Sequence, residues 1–503
     1  MVVHVLKNWV KKISWAQALV AGVCLGIGFI VPTLWWLGVL SIVWLIYILH
    51  SDASYKKIIG IYAVVWGIKA LCSIIWFWSA LPIDWVDGMS TVAQVSIVTT
   101  YWLTSGLWLC SGGILFAAVS VWLLRQSLVP HFIVLLLLPG VWLLAELCAA
   151  SVFSVFTAGP GSFVQTYFSF GMVGYLFGIT PGGVWLSAGA GVYGLTLVMV
   201  TLAMLLYVVS QKQSLRMTSV LSVLLYVIVT YGSLPTTNIS PVPVRVIAVD
   251  TQFDAEFLGT DVGLLSKNAS LKAAVTAATL LTPEVILLPE DSRYLVNQFD
   301  GAYPNQAMSM FQFTHANTES VIIDSGRYTN SQGVTVVRAN VFDGISKKLW
   351  QFDKQYLVPQ GEYVPTVYAL VLRLLGYGDV VDAIAADSAY RPGPLTQTPT
   401  LPEYLPAVLF CFESVSPSAG HTLRATRNIP FIAHPVSHAW FHTPTILWHQ
   451  LDVMLQLQAR YSGVPIVSAG NMTTGKLYLP SGEIKTGTVV GSGERYVLKE
   501  FQF

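Results

Sequence analysis

Up to about Pro235 the chain is a succession of long apolar runs, and from Val244 onward short β-branched runs alternate with polar stretches of helical period. A helix needs about 20 apolar residues to cross the hydrocarbon. Such runs fit at 15–30, 34–49, 58–79, 94–124, 131–150, 187–209 and 217–234, the fourth being long enough to tilt or to start outside the core. The first two read as a retained helical hairpin and not as a secretory signal, because Leu34–Leu49 follows Pro32 with no small-residue cleavage site between them. In the second half VRVIAVDTQF, EVILLPE, SVIIDSG, VTVVRANVF, KKLWQFDKQYLVP, AVLFCFE, FIAHPVS and VPIVSAGNM read as strands or hairpins. Ser266–Leu281 and Pro444–Tyr461 read as helices, and KLYLPSGEI as a closing hairpin. Strands alternating with helices predict an α/β sheet packed in layers. The chain divides into a membrane domain, 1–235, a second domain, 244–490, and a tail, 491–503.

Composition agrees with that division. With 54% hydrophobic and 11% charged residues the chain falls far below the charged fraction of about 25% found in soluble domains. A net charge of +1 without a basic stripe gives no footprint for nucleic acid. Lys7, Lys11 and Lys12, then Lys56 and Lys57, then Arg125, then Lys212 and Arg216 fall in alternate connections, while 80–93 and 151–186 contain neither Lys nor Arg. The positive-inside rule then predicts a cytoplasmic N-terminus and, after seven spans, a sheet domain on the outer face. Lys69 and Glu146 fall inside spans. A lone charge at the bilayer centre costs roughly 2.5–3.5 kcal/mol, so both are expected to face the bundle interior and to pair, either as packing or as part of a proton or substrate path. The aromatic-rich connection 151–186 is expected directly beneath the outer domain.

Candidate chemistry centres on Cys411. The other four cysteines, Cys24, Cys72, Cys110 and Cys148, lie in apolar spans, so this thiol has no disulfide partner in the second domain and is either inert core or a nucleophile. Glu290 follows ILLP, Lys354 lies in QFDKQYLVP and Cys411 follows AVLF, each at the end of an apolar strand. As a set they supply a carboxylate that accepts the thiol proton, a cation for a thiolate or oxyanion, and a soft nucleophile, with the Phe412 N–H as a further oxyanion donor. His434, His438 and His442 are spaced by four, with His449 close behind, but Pro435 and Pro444 interrupt any helix that would align them for a metal, so they are expected as loop residues and no metal or cofactor is called for. The segment 366–378, TVYALVLRLLGYG, is either a packed helix or a lid that dips into the outer leaflet.

The order Glu, Lys, Cys in ILLPE, DKQYLVPQGEYVP and FCFE resembles the nitrilase, or carbon–nitrogen hydrolase, superfamily. LVPQGEYVP (Leu357–Pro365) behind a multi-span N-terminal domain is similar to one family within it, the apolipoprotein N-acyltransferases. SHAWF (Ser437–Phe441), QLQARYSGVPIV, SAGNMTTG, AEL (Ala145–Leu147) and GVYGLT (Gly191–Thr196) agree with it. The resemblance implies an α-β-β-α sandwich outside a bacterial inner membrane, with Glu290 as general base, Lys354 as transition-state stabiliser and Cys411 as nucleophile. Glu362 and Glu413 would support them and Trp440 would shape the pocket. It implies a phospholipid acyl donor, a thioester on Cys411 and a diacylglyceryl-cysteine lipoprotein acceptor. The chain departs from the family pattern at Phe352, Gln360 and His438, and ends at FQF without the closing apolar helix of many members. A membrane-anchored amidase with the same triad, and a non-catalytic lipid-binding relative, are the alternatives.

Overall fold

The computed structural model describes residues 14–84, 88–126, 130–162, 166–211, 243–297, 319–330, 333–374, 376–387, 390–393, 401–442 and 444–503. The basic opening segment, the expected span at 217–234 and the boundary at 235 lie outside them. The first half contains the helices Trp15–Gly26, Trp35–Leu49, Tyr55–Ser73, Thr91–Leu109, Ser111–Arg125, His131–Phe156 and Pro181–Ser210. Among the described residues four stretches are long and apolar enough to cross a membrane: Pro32–Leu49, Thr91–Arg125, Phe132–Phe156 and Pro181–Ser210. The first expected span is shorter than anticipated, since Trp15–Gly26 gives way to 3-10 turns at Ile27–Phe29 and Pro32–Leu34. The expected fourth span is two helices meeting at Cys110. Pro181–Ser210 breaks at Ala190 and Gly191, where Gly191 has φ 56°.

Close approach replaces hydrophobic drive where helices pack in lipid. A Cβ on Gly112 would lie 2.7 Å from the Ala145 carbonyl oxygen and one on Gly113 2.5 Å from that of Tyr62, so Ser111–Arg125 is wedged against two neighbours at once. Trp44, Trp66, Trp142 and Phe116 fill the interior, and Leu103, Leu107, Trp122, Leu136 and Leu144 face outward. Lys69 and Glu146 do pair, Nζ to Oε1 3.1 Å.

The second half forms a twelve-stranded mixed sheet from β1 (Arg245–Thr251), β2 (Val285–Leu287), β3 (Val321–Thr329), β4 (Thr335–Asp343), β5 (Lys348–Asp353), β6 (Ala407–Val408), β7 (Ile432–Ser437), β8 (Ile466–Asn471), β9 (Lys476–Tyr478), β10 (Ile484–Thr486), β11 (Thr488–Ser492) and β12 (Tyr496–Gln502). β1, β2 and β3 run parallel, β4 and β5 complete that half antiparallel, and parallel β6, β7 and β8 begin the other. Among the described residues the strand ladders of the two halves connect where Thr251 of β1 pairs with Asn471 of β8. Because side chains alternate along a strand, Val246, Ala248, Leu287 and Ile323 meet Val408, Phe410, Ala433 and Val467 in a core between the halves. On the outer face of the first half, Ile247, Val249 and Ile286 pack on Leu271, Ala274, Val275 and Ala278 of the helix Asp261–Leu280. On the other outer face, Ile432 and Ile466 pack on Leu455 and Ala459 of the helix Thr445–Ser462. Two sheet layers between helices result.

Two expectations need correction. Residues 491–503 are not a tail: β12 pairs antiparallel with β1 along its whole length, Arg245 opposite Gln502 through Thr251 opposite Tyr496. Leu498 and Phe501 enter the helix-side and inter-layer cores respectively. AVLFCFE is not a continuous strand either, because pairing stops at Val408 and Cys411–Val415 is a 3-10 turn.

The helix Thr445–Ser462 also docks the two halves of the chain. Its Leu447, Leu451, Val453, Met454 and Leu457 belong to the same core as the apolar helices of the first half. The Gln450 amide donates to the Phe29 carbonyl at 3.1 Å, and Gly191 at the break lets the Tyr461 ring approach, a Cβ there falling 3.2 Å from it. Truncation after Glu494 removes the β12 ladder and the buried Leu498 and Phe501. Each such side chain contributes about 1.5–3 kcal/mol and each ladder bond about 0.5–1.5, a sum comparable to the whole net stability of a domain, about 5–15 kcal/mol. The truncated protein is expected to lose the cooperative melting of its sheet domain in circular dichroism, whereas an unchanged transition would show β12 to be dispensable.

Candidate active site

Three chain reversals bring the expected polar residues together. The first follows β2. Asp291 and Arg293 take left-handed backbone, φ 58° and 54°, which costs about 1–3 kcal/mol each for residues other than glycine. Asp324 pins this turn: its carboxylate accepts the Ser292 hydroxyl and, at 3.0 Å each, the N–H groups of Tyr294 and Leu295. Lys267 Nζ donates to the Asp291 carbonyl at 2.9 Å. Burial pushes the Asp324 carboxyl up to about 6 against the pull of those donors. The turn presents Glu290.

The second reversal follows β5. Lys354 is 0% exposed, and its backbone is clamped on both sides, N–H to the Val337 carbonyl at 2.8 Å and carbonyl to the Gly393 N–H at 2.8 Å. Its ammonium donates to Glu290 Oε1 at 2.9 Å and to Glu362 Oε1 at 2.8 Å. Burial disfavours the cation, but Glu290, Glu362 and the nearby Cys411 outweigh it and hold the Lys354 pKa above its ordinary value. Glu362 is fixed by its own loop: Oε2 accepts the Val358 N–H at 2.8 Å while the Glu362 N–H returns to the Val358 carbonyl at 2.9 Å. LVPQGEYVP is therefore a tight turn built to aim one carboxylate. Gly361 is required in it because the Trp440 ring lies where a Cβ would sit, 2.5 Å away.

The third reversal is the 3-10 turn Cys411–Val415. Glu413 accepts the N–H of Phe410 at 3.0 Å within this turn, and those of Gln355 at 2.6 Å and Tyr356 at 3.4 Å from the lysine loop. Burial raises the Glu413 carboxyl and these donors oppose the rise. The half-buried Cys411 thiol donates to the Ser437 carbonyl at 3.8 Å. Burial and then the Glu290 charge push its pKa up, with Lys354 opposing, so the resting sulfur is protonated. Burial raises Glu290 to about 7 despite Lys354. A near-neutral base, a permanent cation and a protonated thiol are what a two-step acyl transfer uses: the base takes the thiol proton, and the cation faces the oxyanion. The Phe412 N–H lies in the first turn of the 3-10 helix, whose donors have no intrahelical acceptor.

The histidines go to separate partners. His434 lies on β7 with Nε2 3.4 Å from the Cys411 carbonyl, His438 Nδ1 accepts the Trp448 indole N–H at 2.7 Å, and His442 Nε2 faces the Pro82 carbonyl at 2.9 Å. Burial lowers His434 to about 4 and His438 to about 3. Among the described residues no group of His, Cys, Asp and Glu is placed to hold a metal.

Sequence reasoning placed the outer connection beneath the sheet domain but did not anticipate Asp324, the Ser437 carbonyl, or the contacts that Tyr167 and Ser169 make. Tyr167 stacks on Tyr356 at 4.8 Å and meets Phe412 edge-on at 6.1 Å. Ser169 Oγ donates to the Val415 carbonyl at 2.5 Å. Tyr363 Oη donates to the Thr157 carbonyl at 2.8 Å. A small cavity of about 20 Å³ lined by Ser154, Ser162, Tyr167, Tyr356 and Tyr363, among others, lies at this junction. Length and aromatic richness were the signals for this connection.

Protein-family models and curated proteins give no match to this chain. Solved structures do. A carbon-nitrogen hydrolase from Helicobacter pylori G27 is 11% identical with TM-score 0.36, over 51% of this chain and 88% of that one. A nitrilase-superfamily amidase from Nesterenkonia AN1 is 14% identical with TM-score 0.36, over 51% and 90%. A glutamine-dependent NAD+ synthetase from Acinetobacter baumannii is 14% identical with TM-score 0.36, over 52% and 46%.

With Glu290 raised to about 7, its ionised, proton-accepting fraction grows as pH rises through that value. Acylation of Cys411 by p-nitrophenyl acetate is therefore expected to accelerate with pH around a midpoint near 7, and E290Q to slow it by about 10²–10⁴-fold. A midpoint near an ordinary carboxylate value, with E290Q fully active, would remove Glu290 as the base.

Proposed function

We propose that this protein takes a fatty acyl chain from a membrane phospholipid onto Cys411 and passes it to the α-amino group of a diacylglyceryl-cysteine at a lipoprotein N-terminus. Glu290 accepts the thiol proton as Sγ attacks the ester carbonyl. The tetrahedral oxyanion faces the Lys354 ammonium and the Phe412 N–H, and its collapse breaks the ester C–O bond. The lysophospholipid leaves as an alcohol, carrying the proton from Glu290. In the second half the acceptor amine attacks the thioester, Glu290 takes its proton and returns it to the leaving thiolate, and an amide remains. A thioester divides one difficult amide synthesis into two easier steps.

The observation that carries this reading is the Lys354 ammonium held between Glu290 and Glu362 beside Cys411, in a domain whose core is continuous with an apolar helical bundle. An amidase acting on small amides uses the same triad. The lipid reading is favoured over it by the helix Thr366–Leu374, which leaves Leu370, Val371 and Leu374 exposed while the Tyr368 hydroxyl bonds Thr104 of the membrane half at 2.6 Å. An apolar face tethered there suits entry of acyl chains from a leaflet. The distribution of Lys and Arg supports an outer-face site with the N-terminus cytoplasmic.

Intact-mass analysis of protein incubated with phosphatidylethanolamine vesicles tests the reading. A fatty-acyl mass increment, absent in C411A and removed by hydroxylamine, is expected; no increment, alongside turnover of small amides, would replace the transferase by the amidase.

A further inference from the structure

Lys69 and Glu146 are 3% and 5% exposed inside an apolar bundle, and the chemistry above uses neither. Replacing a buried ion pair by apolar residues is often neutral or stabilising, so packing alone gives no reason for this one. Its hydrogen bonds give another. Glu146 Oε1 accepts Lys69 Nζ at 3.1 Å and the Val173 N–H at 3.0 Å. Its Oε2 accepts the Thr196 hydroxyl at 3.2 Å, and Thr196 Oγ1 in turn accepts the Gly174 N–H at 3.1 Å. The carboxylate thus holds, directly and through Thr196, the backbone entering the short helix Gly174–Phe177 of the outer connection.

That connection leads straight to the nucleophile. The Tyr175 hydroxyl is 2.9 Å from Ser169 Oγ, and Ser169 Oγ donates to the Val415 carbonyl. Two residues earlier, the Tyr167 ring meets Phe412 edge-on. Gly171, φ 84°, presses on Ser73 of the helix that carries Lys69; a Cβ there would lie 2.9 Å from Ser73 Oγ. Residues 167–177 are buried throughout. One end of this strap is anchored by an anion in the bundle, and the other touches the turn at Phe412 and at Val415.

We infer that Lys69 and Glu146 are positioning residues for the Cys411 turn. The ion pair fixes strap 167–175, and the strap sets Phe412, whose N–H faces the developing oxyanion. A displacement of about 1 Å at such a distance from the chemistry costs up to roughly 10²-fold in rate. The inference rests on Cys411 being the acylated thiol, and not on which lipid supplies the acyl group.

The test is the pre-steady-state burst of p-nitrophenol from p-nitrophenyl acetate on the full-length protein in detergent. The burst amplitude counts competent molecules and its rate constant reports the geometry of each, so partial misfolding lowers the first without changing the second. In K69M/E146Q the glutamine oxygen still accepts the Val173 N–H and no unpaired cation remains; its rate constant is expected within about 3-fold of the unmodified protein. In K69M/E146L the anchor is gone, and the rate constant is expected to fall roughly 10- to 100-fold with the half-saturating ester concentration within about 2-fold. S169A alone is expected to slow the burst, and to add little to K69M/E146L because both cut the same strap. Equal rate constants in the two double variants, or full additivity of S169A, would overturn the inference. A burst lost in C411A without any phospholipid adduct would overturn the lipid reading and leave these rates to decide the strap. Absence of a Cys411-dependent burst would overturn both.

Discussion

An ammonium with no solvent exposure must be neutralised where it lies, and Lys354 makes this demand on the turn after β2 and on its own loop. Unpaired, a buried charge costs several kcal/mol, and removing one partner of such a pair typically costs about 3–5 kcal/mol. Glu290 and Glu362 meet the demand at 2.9 and 2.8 Å. The two carboxylates are not equivalent. The second oxygen of Glu362 is satisfied by the Val358 N–H, while Glu290 stands on a turn held from behind by Asp324 and is raised to about 7 by burial. Burial is the main cause of that rise, and the Glu362 charge adds to it against the pull of Lys354. Glu413 does the same work for the backbone, joining the lysine loop to the Cys411 turn through three N–H groups.

The same economy governs how the sheet domain meets the apolar helices. The helix Thr445–Ser462 gives one face to the sheet and another to the bundle core, so no hydrophilic gap separates them at this point. The outer connection completes the contact through Tyr167 and Ser169, and its polar backbone is satisfied by a charge pair that would otherwise have no place among apolar side chains. A thiol carried this way stands where the sheet domain meets the apolar bundle, the position the proposed reaction requires.

Much of this was legible in the chain itself. Short β-branched apolar runs located the parallel strands, and the polar residues at the ends of β2 and β5 marked Glu290 and Lys354. The pairing of Lys69 with Glu146 followed from the cost of a lone charge in lipid. Other features leave weak local traces. AVLF reads as a strand but pairs over only two residues before turning, since the pattern reports burial and not hydrogen bonding. YVLKEFQ was passed over as a tail because its mixed polarity suits a strand exposed to different environments on its two faces. Asp324 sits inside an apolar strand, and only the left-handed turn it caps, some thirty residues earlier in the chain, explains it. Tyr167 and Ser169 carry no motif, their role being set by what lies across the domain junction.

In the proposed reaction an acyl group rests on Cys411 and leaves it for an amine. Acylated protein freed of excess phospholipid and mixed in a single turnover with a synthetic diacylglyceryl-cysteine peptide tests this directly. The amide is expected to form at the rate at which the thioester disappears, with lysophospholipid already released before the peptide is added. A thioester that ignores the peptide and decays to free fatty acid would contradict it.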